Sequence, residues 1–323
     1  MKKSLFASQK VGRAELTKYL FLTYGLFILT VLCFAWGSFD SYLERKTLEM
    51  KSAAYEIEFN LTNTLDYTES VLNFINRKIV STKGNKQQIS KIFKAFKGSH
   101  GDYGSIKDSL SDGMFFWIDV NKFLSVSSKY GIIKIPLDVS KRDYLAYSQK
   151  TPWKIFTGAP TIGSSSGDYI IPAGVGVSDE NSYIGTTAVG FKVHSLVDKF
   201  SKLVGVYKVD FAILDKNNKV LMESVSGMFS QNSNLARSLE LPNKSLVGYR
   251  EVVVSEFSLT DPRGFYIIER NFEKYPYKVL IGSQNGLITK SASSQIWPHL
   301  IELLIVTIFF LTILYFVRNL FKE

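Results

Sequence analysis

Two long apolar runs near the ends of the chain constrain everything between them. Tyr19–Phe39, YLFLTYGLFILTVLCFAWGSF, holds 21 residues without a charge. At 1.5 Å per residue that crosses a hydrocarbon layer about 30 Å thick. Leu303–Val317 adds 15 uncharged residues, and Ile296–Leu300 before it brings the second run to residues 296–317. Tyr19, Tyr24 and Trp36 lie towards the ends of the first run, where aromatic rings favour the membrane interface. Lys2, Lys3, Lys10, Arg13 and Lys18 precede it against the single acid Glu15, and Arg318 and Lys322 follow the second run. The positive-inside bias puts residues 1–18 and 318–323 in the cytoplasm and residues 40–299 outside. This predicts a two-pass protein of the cytoplasmic (inner) membrane. The first run exceeds the roughly 7–15 apolar residues of a cleaved signal, and no small-x-small site follows it, so it reads as a retained anchor. Glu302 reaches the outer interface or contacts a partner helix.

Between the runs the sequence reads as a folded, soluble body. The only cysteine, Cys33, lies within the first apolar run, so no intrachain disulfide is possible, and it reads as a small residue in a packed helix. The chain carries a formal +10, but its lysines are scattered and no nucleic-acid motif occurs, so no nucleic-acid partner is expected. His100, His194 and His299 are far apart, and no HExxH, GxSxG or Walker segment is present. No catalytic residue, metal site or cofactor is therefore expected. Only RNLFKE follows Val317. A signalling output is then expected on another polypeptide, or on a longer protein from which this is a sensor fragment.

The pattern along residues 40–295 predicts an α+β body. Leu43, Leu48, Ile57, Leu61, Leu65, Leu72, Ile75 and Ile79 recur at spacings near three and four, predicting one long amphipathic helix over 40–83 that continues out of the first span. A polar stretch, 84–113, carries a short helix near Ile89–Phe96. Met114–Val120 and Phe123–Ser128 then predict a hairpin about Asn121-Lys122. A helix is predicted over Val139–Gln149, with Asp138 or Ser140 as its cap. Strands Tyr169–Val177 and Tyr183–Phe191 and a helix Val193–Leu203 complete the first half. The second half predicts strands Val206–Leu214, Lys219–Ser224, Leu246–Phe257, Gly264–Arg270 and Tyr277–Gly282. A helix Asn285–Gln295 then runs into the second span. FWIDVNKFLSVSS and FAILDKNNKVLMES both read as apolar strand, acidic turn, apolar strand. The body is thus expected to be two copies of one module, a distal one over 84–203 and a proximal one over 204–284.

This arrangement resembles the double Cache family, the PAS-like extracellular sensor domains of bacterial chemoreceptors, histidine kinases and diguanylate cyclases. Asp138-Val139-Ser140-Lys141-Arg142-Asp143-Tyr144 is similar to the family's D-hydrophobic-S-x-R-x-aromatic segment. GAPTIGSSSGDYIIPAGVGV and YPYKVLIG resemble its following turn-and-strand segment and its last proximal strand. The resemblance covers residues 40–295. It implies two tandem PAS-like modules of antiparallel sheets with flanking helices, carried on a long N-terminal helix between two transmembrane helices.

The resemblance also implies a ligand in the distal module, with Arg142 and Tyr144 binding its carboxylate. A guanidinium forks onto a carboxylate through two parallel N–H bonds. The alternative for Arg142 is a surface ion pair with an acid such as Asp138. Trp117 is a candidate pocket wall, with plain core packing as its alternative. Trp153, Asp168 and Tyr169 are candidates on the same terms, and Ser164–Ser166 offers hydroxyls or only a turn. The amino-acid-binding branch of the family has a Pro-Tyr-x-Asp segment and a late strand Asp. Here the matching positions read Pro160-Thr161-Ile162-Gly163 and about Gly190. A plain carboxylate or another small anion is therefore expected in place of an amino acid. The implied protein is a sensor that dimerises through its N-terminal helix and signals to a cytoplasmic kinase, cyclase or chemotaxis-type output. The alternative is a passive envelope scaffold or protein-binding module.

Overall fold

The computed structural model describes residues 2–99, 114–163, 167–180, 182–225, 229, 251–255, 257–261 and 263–320. The Ser164–Ser166 loop and most of the 98–104 loop lie outside the described residues. Two bodies are distinguished. One comprises Met1–Glu49, Glu256–Tyr266 and Ser283–Glu323; the other comprises Met50–Ser255 and Ile267–Gly282.

The first body holds the two apolar helical stretches. Helix α1 spans Lys2–Val80, and helix α5 spans Asn285–Leu320 with Pro298 inside it. Both are long and apolar enough to cross a membrane, over stretches only 11% and 6% buried. Such exposure is the reverse of a core helix in a soluble protein. The two stretches touch along their length. The Tyr24 hydroxyl and the Thr307 hydroxyl are 2.7 Å apart, and the Tyr24 and Phe310 rings stack at 4.1 Å. Ser38 Oγ meets His299 Nε2 at 3.1 Å, and His299 Nδ1 lies 3.6 Å from Glu302. Cys33, expected to be packed, is exposed.

The second body is α+β, as the periodicities predict. The core face of α1 carries Ile57, Leu61, Leu65, Leu72, Ile75 and Ile79, all buried. The other helices are α2 (Lys86–Ser99), α3 (Asp143–Lys150) and α4 (Val193–Val204). The strands are β1 (Phe116–Asp119), β2 (Phe123–Ser127), β3 (Gly131–Asp138), β4 (Ile155–Thr157), β5 (Thr161–Ile162), β6 (Tyr169–Asp179), β7 (Ser182–Lys192), β8 (Asp210–Asp215), β9 (Val220–Glu223), β10 (Glu251–Ser255), β11 (Phe265–Asn271) and β12 (Tyr277–Gln284). One sheet runs β3-β2-β1-β7-β6-β4, with β5 beside β6; the other runs β10-β11-β12-β8-β9. Read from β9, the second order β9-β8-β12-β11-β10 parallels β2-β1-β7-β6-β4.

The paired turns match atom for atom. Asp119 Oδ1 accepts the N–H groups of Asn121 (3.2 Å) and Phe123 (3.0 Å). Asp215 Oδ1 accepts those of Asn217 (2.8 Å) and Lys219 (2.9 Å). A carboxylate that ties down two backbone donors in this way closes a short strand connection. Lys122 and Asn218 occupy the same left-handed position, at φ 65° and 61°. The Ser128 and Ser224 hydroxyls accept from Phe115 N and Phe211 N at 2.9 and 3.0 Å.

Two predicted elements begin later than the sequence reading places them, and β3, β4 and β5 are strands that it does not predict. The helix predicted from Val139 begins at Asp143, because Asp138 Oδ1 takes the Ser140 N–H (2.8 Å) in a turn that ends β3. The strand predicted from Val206 begins at Asp210, because Gly205–Tyr207 is a 3-10 turn with Val206 76% exposed.

Candidate ligand-binding site

Helix α3 lies directly on β6, and three glycines make that approach possible. A Cβ on Gly174 would stand 2.7 Å from Tyr144 Cε2, and one on Gly158 would stand 2.5 Å from Asp143 Oδ1. At Gly176 the added atom would run into the Ser148 carbonyl. Asp143 Oδ1 accepts the Tyr144 N–H (2.9 Å) and the Ala159 N–H (3.4 Å), holding the helix start to the chain beyond β4.

Arg142 is the N-cap residue of α3, with extended backbone angles and no capping side-chain bond. Its guanidinium donates to the Ile162 carbonyl on β5 at 3.5 Å. It makes no ion pair with Asp138. The Asp138 carboxyl is instead held below its usual range by the Ser140 N–H and hydroxyl. Ile162 pairs with Tyr169 across the β5–β6 hairpin, and Asp168 returns its carbonyl to Gly163 N at 2.8 Å. Arg142, Asp168 and Tyr169 therefore gather at this one hairpin. Tyr169 is 53% exposed there, and Asp168 is 3.5 Å from Lys192 Nζ.

Tyr144 sits one layer deeper. It is 3% exposed, in an apolar cluster with Phe116, Ile118, Leu124, Val139, Leu145 and Ala188. Burial pushes its hydroxyl far above the usual tyrosine range, so it is a neutral group here.

The two tryptophans lie elsewhere. Trp117 alternates with Phe116 and Ile118 along β1, so it faces the opposite side of the sheet from Tyr144. Its cross-strand partner Thr187 donates to Asn76 Oδ1 on α1 at 2.5 Å. Trp117 is fully buried, and its indole N–H finds no partner among the described residues. Trp153 belongs to the far end of β6. Its N–H meets the Gly176 carbonyl at 2.9 Å, its indole N–H meets Ser178 Oγ at 3.2 Å, and its carbonyl accepts from Asn73 at 3.0 Å. Those bonds hold it in a left-handed conformation, φ 70°.

Lys192 was not read from the sequence as part of the site. Its place follows from the register of β6 against β7, in which Lys192 stands opposite Ile170, two residues past Asp168. Among the described residues no cluster of three or more His, Cys, Asp or Glu side chains could hold a metal ion.

No family model and no curated protein matches the sequence. Solved structures do match in fold. The extracellular domain of rpHK1S-Z16, a protein assigned as a histidine kinase, has a TM-score of 0.53 at 15% identity, over 75% of this chain and 95% of that one. The chain shares the fold of that extracellular domain. The ligand-binding domain of Mlp24, solved with asparagine, matches at a TM-score of 0.51 and 12% identity, over 78% of this chain and 99% of its own. The sensory domain of the Campylobacter jejuni chemoreceptor Tlp3, with isoleucine bound, matches at 0.50 and 13% identity, over 79% and 97%. These neighbours are sensor and ligand-binding domains.

Proposed function

We propose that this chain is a two-pass membrane sensor that binds a small carboxylate at the β5–β6 hairpin and passes a conformational signal across the membrane. The observation that carries the reading is Arg142 at the start of α3, directed onto the hairpin that also bears Tyr169 and Asp168. A guanidinium held by one carbonyl keeps donors for a carboxylate. Tyr144 beneath it anchors α3 to the sheet, so movement of Arg142 and movement of the helix are one event. Asp168 already faces Lys192. The rim acid is thereby committed, which favours a plain carboxylate over a zwitterion that needs its ammonium matched. Trp117 and Trp153 serve as packing and anchoring residues in this reading.

The two sheets are tandem modules, distal over 84–203 and proximal over 204–284, and contacts between them give the signal a route. Lys216, in the β8–β9 turn, reaches the Tyr147 hydroxyl of α3 at 3.2 Å, and its ammonium lies 5.2 Å from that ring. The Thr157 hydroxyl on β4 is hydrogen-bonded to Tyr277 on β12, and β12 runs on into α5. Tyr55, Phe59, Tyr67 and Phe74 stay 53%, 52%, 45% and 46% exposed on α1, a surface suited to a homodimer through that helix. Residues 40–299 lie on the outer side of the inner membrane, and the receiving partner is a cytoplasmic kinase, cyclase or chemotaxis-type protein. A ligand shifts such a system only by its differential affinity for two states.

The test is a thermal-shift screen of the full chain in detergent against small organic acids, amino acids and amines. At 100-fold excess over its Kd a ligand stabilises by about 2.7 kcal/mol. A carboxylate that raises the melting point of wild type and not of Arg142→Ala supports the proposal. Silence across the panel favours a passive scaffold.

A further inference from the structure

Where α1 and α5 meet near Ser38 and His299, they leave an open cleft of about 410 Å³. Its deep end is lined by Cys33, Phe34 and Gly37, its shallow end by Ser41, Tyr42 and Arg45, and Gln295 closes it from α5. Polarity therefore rises in one direction. From Cys33 to Arg45 is about 18 Å of helix. Cys33 lies about 9 Å inside Phe39, the outer end of the first apolar run, and Arg45 about 9 Å beyond it. On the two-pass reading, on which this inference rests, the deep end faces acyl chains and the shallow end faces headgroups. A cleft opening into a bilayer does not stay empty, because the surrounding chains fill it.

We infer that this cleft is a binding site for an anionic glycerophospholipid of the outer leaflet, one acyl chain lying along Cys33, Phe34 and Gly37 and its phosphodiester meeting Arg45. Arg45 is suited to that role. Its side chain is 60% exposed, and its guanidinium stands 5.3 Å from the ring of Tyr42, which lines the cleft with it. The neighbouring acid is Glu49. It lies 4.0 Å from Arg45, at the limit of an ion pair, and closer, at 3.6 Å, to the buried Lys46. Glu49 is thus held mainly by Lys46, and the guanidinium fork remains available to a phosphate. The Ser41 and Gln295 side chains add polar groups at the same level. At Gly37 an added Cβ would meet nothing within 4 Å, so the chain itself leaves the middle of the cleft open.

The test uses the full chain in mild detergent, with native mass spectrometry after titration with phosphatidylglycerol or phosphatidylcholine of equal chain length. Two variants block the site differently. Arg45→Ala removes the charge, and Gly37→Leu fills the cleft while improving helix propensity. The expected result is one bound lipid per chain, phosphatidylglycerol preferred over phosphatidylcholine. Arg45→Ala should weaken phosphatidylglycerol binding by about fivefold, the effect of one basic residue near a lipid surface, and Gly37→Leu should weaken both lipids. Equal adducts in all three proteins overturn the inference, as does a dimer that Gly37→Leu abolishes, which would assign the cleft to a second copy of the chain. Alkaline extraction of membranes separates the two readings. A chain released into the soluble fraction sinks the two-pass reading itself, whereas a retained chain without the selective adduct sinks only the lipid site.

Discussion

The Glu58–Arg270 pair offers a sharp test of how α1 is fastened to the second sheet. Glu58 Oε2 accepts from Arg270 Nε at 2.6 Å, with the side chains only 9% and 7% exposed, and Glu58 Oε1 accepts the Glu273 N–H at 2.8 Å. The Arg270 guanidinium also lies 5.4 Å from the Tyr55 ring. One carboxylate therefore holds both β11 and the turn after it against α1. Arg270→Met should leave that carboxylate buried without its cation, at a cost of about 3–5 kcal/mol. For a body of this size each kcal/mol shifts the melting temperature by about 2–4 °C, so a fall of roughly 6–20 °C is expected. Glu58→Leu combined with Arg270→Met removes both charges and should recover most of the loss, because two apolar side chains replace a desolvated pair. Thermal unfolding of the full chain in detergent, followed by tryptophan fluorescence, reads all three proteins. A fall under about 2 °C for Arg270→Met, or a double variant no more stable than the single one, would refute the reasoning.

Other outcomes follow from the same geometry. Burial pushes the Asp66 carboxyl up, but hydrogen bonds from Lys274 (2.6 Å) and Tyr275 (2.5 Å) and the Lys274 charge outweigh it and hold the group below its usual range. The stability this contributes is complete above the ordinary carboxylate range and is lost as pH falls through the lowered value. An acid series of melting curves should therefore be flatter below about pH 4 for Asp66→Asn than for wild type. Tyr144, Tyr275 and Tyr277 are all pushed up, chiefly by burial. Folded protein should therefore withhold part of its tyrosinate absorbance above pH 10, releasing it on unfolding, and stability should fall over that range. Gly176→Ala drives a methyl group into the Ser148 carbonyl of α3. It should cost about 1–3 kcal/mol by chemical denaturation, and it should weaken carboxylate binding by displacing Arg142.

The elements that were legible in the sequence share one property: each carries its own periodicity. α1 shows it in the recurrence from Ile57 to Ile79, and the β1–β2 and β8–β9 hairpins show it as apolar strands around an acidic turn. The roles of Asp119 and Asp215 follow from their place at those turns. β3 was missed because it alternates poorly. Pro136 lies inside it, and Ile132 and Ile135 are 44% and 81% exposed. The start of α3 was misplaced because Asp138 and Ser140 look like a cap but bond to each other. For the candidate site, the resemblance points to Arg142 and Tyr144; that Asp168 and Tyr169 gather beside Arg142 is not readable from the sequence, since the contact between Arg142 and Ile162 is made by the fold. The side of the sheet taken by Trp117 needs the register of β1 against β7, which a single strand does not encode. Lys192 needed the same cross-strand register.

The most direct measurement of the central claim is isothermal titration of the full chain in detergent with matched pairs of ligands, each a plain organic acid and the amino acid of the same carbon skeleton. The account predicts one site per chain, tighter binding of the plain acid, and loss of that binding in Arg142→Ala. Tighter binding of the amino acid, or an Arg142→Ala variant that binds as wild type does, would contradict it.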